Sequence, residues 1–150
     1  MINRTRKLRQ DVQRLLREDY PQRKAQLETL PLRIETERSR LTAIRSASAE
    51  STMISGGGNV RQERDTSIIV EIDRLSAELK TAKLELKTID RIFEELSTEQ
   101  LRTVELMDLS RQNGALNRLC EELYCEKSKV YDIYNTALDT IARLYFGQKS

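Results

Sequence analysis

Tryptophan and histidine are absent from this 150-residue chain. Without histidine there is no imidazole to act as a general base near neutral pH, and none to complete a zinc or iron site. Two cysteines, Cys120 and Cys125, are too few for a disulfide scaffold. Their spacing is neither that of a redox pair nor half of a zinc site, so they read as small buried hydrophobes. No apolar run reaches the ~20 residues that a bilayer span needs, and no signal-peptide core follows Met1. The expectation is a cytoplasmic chain without membrane, metal or cofactor. Glycine and proline together number seven, and aromatics make up 5%. Beta-branched and aromatic runs are too scarce for a sheet.

What remains is charge and helical rhythm. Charged residues account for 33% of the chain and apolar ones for 38%, a balance that favours long helices with one buried face each. The net charge is only +2, but residues 1–50 carry 12 basic and 7 acidic groups while residues 51–112 carry 9 and 12. Arg4, Arg6, Lys7 and Arg9 begin the basic segment. They are candidate phosphate contacts, or equally an ordinary solvated face.

A first helix is expected over 5–19, with Leu8, Val12, Leu15 and Leu16 on one face. Pro21 should end it or force a turn at Tyr20. A second seam runs through Leu27, Leu30, Ile34, Leu41 and Ile44, with Glu37 in a core place. Pro31 inside it marks either a kink or the first turn of a helix starting near Thr29. Residues 46–60, rich in serine and holding Gly56-Gly57-Gly58, read as a loop, with 51–60 as a flexible connection. They lack the strand and the lysine-serine or lysine-threonine ending of a phosphate loop.

The strongest periodicity follows. Ile68, Ile72, Leu75, Leu79, Ala82, Leu86, Ile89, Phe93 and Leu96 keep a 4-3-4-3 spacing, which makes a coiled-coil seam. Its partner is the seam at 27–44, folded back as a hairpin, or a second copy of the chain. Because the later seam is about one heptad longer, a homodimer is expected.

Ser97 with Gln100 has the chemistry of a capped helix start. Three short helices should follow over about 98–111, 115–123 and 127–145, with Asn113-Gly114 supplying a left-handed terminus before the second. Leu101, Val104, Met107 and Leu109 form the face of the first. Ala115, Leu116, Leu119, Cys120 and Leu123 line the second. Val130, Ile133, Tyr134, Ala137, Leu138, Ile141 and Leu144 line the third. A short helix, a tight turn and a longer helix with exposed Lys, Ser and Asn describe a helix-turn-helix. The chain is therefore expected to be all-α, with helices and a coiled-coil-like hairpin over 1–96 and a helix-turn-helix domain over 97–150.

The stretch from Leu116 to Tyr131 resembles a segment of phage late transcription regulators of the RinA and ArpU type, close to L-x-x-I-A-x-x-L-G-x-S-x-S-T-V-Y. The C-terminal region of that family looks like the fourth region of bacterial sigma factors. Leu119-Cys120 occupies the apolar-small pair, and Leu123 the last core position. Lys127, Ser128 and Lys129 open the recognition helix, Val130-Tyr131 is the closing pair, and Ala137-Leu138 follows. The resemblance implies a phage-encoded activator of late genes in a bacterial host, with double-stranded DNA and host RNA polymerase as partners. Tyr124 replaces the turn glycine, Glu126 the capping serine, and Asp132 a common basic residue. A tyrosine in a left-handed turn is strained, so the turn either bears that strain or takes another geometry.

On this reading Lys127, Ser128, Lys129, Asn135 and Arg118 face DNA. Catalysis is not expected, since Glu94-Glu95 and Glu121-Glu122 read as solvated carboxylates. The competing expectation is an oligomeric coiled-coil assembly protein, or a DNA adaptor like a small terminase subunit.

Overall fold

The structure is a computed structural model that describes residues 2–50 and 58–147, and every described element is helical. Helix α1 (Ile2–Arg14) passes into a π-helical turn, π1 (Leu15–Asp19), and on into α2 (Tyr20–Glu50). The chain then forms α3 (Gly58–Glu94), α4 (Thr98–Val104), a second π-turn, π2 (Glu105–Leu109), α5 (Ala115–Leu123) and α6 (Lys127–Phe146). The all-α class expected from composition is the class observed.

Pro21 does not end a helix. The N–H of Tyr20 reaches back five residues to the carbonyl of Leu15, so the hydrogen-bond register widens just before the proline. A register change already strands a carbonyl, and the missing proline N–H falls at that point. Pro31 lies within α2 rather than at a helix start. The loop expected over 46–60 is also shorter: α2 runs to Glu50, just before the flexible connection expected from residue 51, and α3 begins at Gly58, since Ala47 and Ala49 favour helix. Residues 51–57, the heart of that expected loop, lie outside the described residues.

The chain divides into two compact units, Met1–Arg23 with Glu85–Ser150, and Lys24–Leu84. The second unit is an antiparallel pair built from parts of α2 and α3. Leu30, Ile34 and Leu75 form its buried core, flanked by Ile72 and Leu79. Arg33 pairs with Glu71 at 3.8 Å and Arg45 with Asp65 at 3.6 Å, a pairing order that reflects the opposed chain directions. Glu37, placed in the seam, is largely buried and meets Arg40 at 3.1 Å.

The first unit differs from the expected partition at residue 96. The apolar face of α1 and π1 (Val12, Leu15, Leu16) is buried against the C-terminal helices, and α1 lies along α6 in the opposite direction. Arg9 clamps Asp139 through two hydrogen bonds of 2.8 and 2.9 Å, and Gln13 donates to the Tyr134 hydroxyl at 2.8 Å. The upper seam of α3 joins the same core. Leu86, Ile89, Ile92 and Leu96 are buried, Phe93 meets the Tyr20 ring edge-on at 5.5 Å, and Arg23 pairs with Glu85 at 2.6 Å. The extra heptad of the seam is thus covered within the chain, which removes the motive for a second copy there.

Candidate nucleic-acid interface

Helix α4 opens on a complete capping box. The Ser97 hydroxyl accepts from the Gln100 N–H, and the Gln100 side chain accepts from the Ser97 N–H. Its continuation departs from the expected regular helix to 111. At π2 the Ser110 N–H bonds to the Glu105 carbonyl at 2.8 Å, five residues back. That wider turn shifts the face, so Leu106 and Asp108 point inward while Met107 and Leu109 are only half-buried. The left-handed residues around the loop are Arg111 (φ 47°) and Gly114 (φ 74°), with Gly114 directly preceding α5.

Helices α5 and α6 occupy the ranges anticipated, apart from one residue at the end of α6. Ala115, Leu119 and Val130 are buried with Leu106, and Leu116, Cys120, Leu123 and Cys125 pack around them. Tyr134, Ala137, Leu138 and Ile141 are core, as their spacing requires, and Ala142 joins them. Leu144, expected in the stripe, is instead exposed.

The turn between the two helices is left-handed at Tyr124, with φ 52° and ψ 47°. The N–H groups of Tyr124 and Cys125 both converge on the Cys120 carbonyl, closing α5 as a Schellman-like end. The tyrosine occupies the glycine-type position, bearing the strain, and its side chain is 95% exposed. Glu126 is the N-cap of α6 and makes no side-chain capping bond. Its carbonyl accepts the Val130 N–H at 3.1 Å.

Val130 is fully buried, so the first turn of α6 is anchored on one side. Lys127, Ser128 and Lys129 are all exposed on the other. No ion pair engages either lysine among the described residues. Glu126 and Asp132 are exposed beside them, leaving this turn near neutral. Tyr131 is exposed and Asn135 half-buried two turns into the helix.

The other sequence candidates are placed elsewhere or already engaged. Arg118 is held by Glu122 at 3.2 Å and by Gln112 at 2.7 Å. Glu122 also accepts from Nε and Nη2 of Arg102, each at 2.9 Å, which ties α4 to α5. The Arg102 guanidinium is the main reason that the Glu122 carboxyl is lowered to about 2, and Arg118 adds to it. Arg9 is committed to Asp139. Arg4, Arg6 and Lys7 are exposed, but Asp139 lies twelve residues along α6 from Lys127, or ~18 Å at the helical rise. The antiparallel course of α1 carries its first residues still further from the lysines. The structure keeps the two cationic groups apart.

Sequence spacing did not anticipate a buried polar network in this unit. Asp108 is fully buried, and its Oδ1 accepts from Arg17 Nε and from the Tyr134 hydroxyl, each at 2.8 Å. Burial pushes the Asp108 carboxyl above the ordinary range despite those two bonds. Desolvation is the largest single influence on Arg17 and opposes its charge, but the hydrogen bond to Asp108, the Asp108 charge and the Tyr134 phenol together outweigh it and raise the guanidinium above its ordinary value. Burial, with the charge of Asp108, pushes the Tyr134 phenol up to about 12.

These elements define an all-helical protein with a helix-turn-helix segment. Comparison with protein-family models, curated proteins and solved structures finds no match to this chain. Among the described residues no group of side chains could hold a metal ion, and no helix is long and apolar enough to cross a membrane.

Proposed function

We propose that this chain is a DNA-binding transcription regulator that docks the first turn of α6 in the major groove and performs no catalysis. The supporting observation is the solvent-facing Lys127-Ser128-Lys129 turn, opposite a fully buried Val130, at the start of a twenty-residue helix preceded by α5 and a tight turn. Residues at that position of a helix-turn-helix reach base edges, while nearby cations meet phosphates. The resemblance of residues 116–131 to phage late regulators supports an activating role at a promoter in a bacterial host, with host RNA polymerase as a further partner. Asn135 is placed for an adenine edge only if the helix enters deeply.

Glu126 and Asp132 repel phosphate, so one copy binds weakly and loses affinity steeply with salt. A homodimer, or docking on polymerase already at a promoter, supplies the rest. The test is selection of bound fragments from a phage or bacterial genome by the purified chain, repeated with Lys127→Ala/Lys129→Ala. One enriched motif that the double variant loses supports the reading. Absence of enrichment even at ~50 mM salt, where phosphate attraction is strong, rejects it.

A second reading, an oligomeric assembly protein or a DNA adaptor like a small terminase subunit, draws on the hairpin unit. Leu32, Val70 and Leu84 are each more than half exposed there. That reading predicts a stable oligomer at micromolar concentration without sequence preference for DNA.

A further inference from the structure

We propose that Cys120 and Cys125 form a reversible intramolecular disulfide across the turn between α5 and α6. In sequence they are five apart, on opposite sides of an apparent break, and look unrelated. The left-handed residue Tyr124 changes that by reversing the chain, so that the Cys125 N–H bonds to the Cys120 carbonyl at 3.2 Å. With standard backbone bond lengths, a hydrogen bond of that length keeps the two Cα atoms within ~7 Å whatever its angle. Bridged cysteines occupy about 4.4–6.8 Å.

Side-chain placement is compatible with a bridge. In a helix end of this kind the residue just beyond the left-handed one folds back over the last turn, toward the residues five and six before it. Both thiols are free, both are partly exposed, and both pack against the cluster formed by Leu106, Leu119 and Val130. The reagent needed is small and common: a peroxide, or the disulfide of a small thiol such as glutathione. With a peroxide, one sulfur attacks an oxygen, the O–O bond breaks and a sulfenic acid forms as water leaves. The second thiol then attacks that sulfur, the S–O bond breaks, and a second water leaves with the remaining proton. Two thiols have given two electrons to the peroxide, and one S–S bond has formed.

The bond would lock the strained Tyr124 conformation and fix how α6 leaves α5. If α6 is the DNA-reading helix, an effect that rests on the reading above, oxidation would restrict the freedom of its first turn. The test itself needs no DNA. The full chain is equilibrated with reduced and oxidised glutathione, quenched, and mapped by peptide mass, once folded and once in concentrated urea. The expected product is a monomer with a Cys120–Cys125 bridge, reversed by excess dithiol. Its equilibrium constant against glutathione should be about tenfold or more higher for the folded than for the unfolded chain. In Cys125→Ser, Cys120 should give only a mixed disulfide with glutathione. A bridge that forms no better in the folded chain would overturn the proposal, as would bridges only between chains or separate glutathione adducts on both cysteines. Loss of DNA binding would bear on the functional reading and leave these outcomes unchanged.

Discussion

The guanidinium of Arg17 donates a 2.8 Å hydrogen bond to the carboxylate of Asp108, 91 residues away, and each residue sits in a π-turn. The two turns face one another in the core of the first unit. A regular α-helix through 15–19 or 105–109 would rotate these side chains away from each other, so the wider turns and the ion pair belong together. Asp108 Oδ2 has no hydrogen-bond partner among the described residues, which makes the site costly to ionise and costly to disturb.

Removing one partner should therefore hurt more than removing both. Asp108→Ala leaves Arg17 and the Tyr134 hydroxyl without their acceptor, and should cost about 3–5 kcal/mol in urea unfolding. The double variant Arg17→Met/Asp108→Leu should recover most of that loss, because apolar replacements of similar volume are often neutral or better. A double variant less stable than Asp108→Ala would mean that the pair is a net stabiliser.

Alkaline titration should reach the same core. Tyr20, buried and bonded to Asp90 at 2.9 Å, and Tyr134 are both raised to about 12 from an ordinary value of 10. A raised pKa means that the fold favours the neutral phenol. The stability this contributes is complete below pH 10 and is lost as pH climbs toward 12. Tyr20→Phe and Tyr134→Phe should each flatten the fall in stability above pH 10, and each should delete part of the late phenolate absorbance. Unchanged alkaline profiles would contradict the buried placement of these hydroxyls.

Acid should act through Glu122 with the opposite sign. Its carboxyl is lowered from 4.5 to about 2 by Arg102 and Arg118. That contribution is present above pH 4.5 and disappears as pH falls toward 2. Glu122→Gln should lie below the wild type in thermal midpoint at neutral pH, and the gap should close in that acid window. Solvent around this exposed cluster keeps the effect small.

The turn at Tyr124 makes a prediction about strain. A non-glycine residue in the left-handed region costs roughly 1–2 kcal/mol, and the Tyr124 side chain, 95% exposed, buries almost nothing in return. Tyr124→Gly should raise stability by about 1 kcal/mol by denaturant unfolding, whereas Tyr124→Ala should not. If Tyr124 also touches DNA, the glycine variant will be more stable and bind less tightly.

Much of this arrangement is legible in the residues themselves. The 4-3-4-3 seam through Ile68 and Leu96, the Ser97–Gln100 box and the ranges of α5 and α6 all follow from periodicity and capping chemistry. The π-turns do not, because a 3.6-residue rhythm cannot reveal where a helix takes up an extra residue. For that reason Pro21 looked like a stop, and Met107 and Leu109, rather than Leu106, looked like the buried face. Paired adjacent leucines at 15–16, and Leu106 beside Met107, are the faint traces of both register shifts. The return of α1 onto α6 was hidden as well, since Arg9 and Asp139 are 130 residues apart. In the candidate site, Lys127 to Lys129 lie on the exposed first turn expected of them. Arg118 and Arg9 looked available only because their carboxylate partners are invisible in a linear reading.

The most direct measurement of the central claim is a titration of isotope-labelled protein with a short DNA duplex at low salt, followed through every backbone amide. DNA docked on the first turn of α6 predicts shifts concentrated at residues 124–135, fading as salt is raised and absent in Lys127→Ala/Lys129→Ala. Shifts confined to the hairpin residues 24–84, or no shifts at ~50 mM salt, would contradict it.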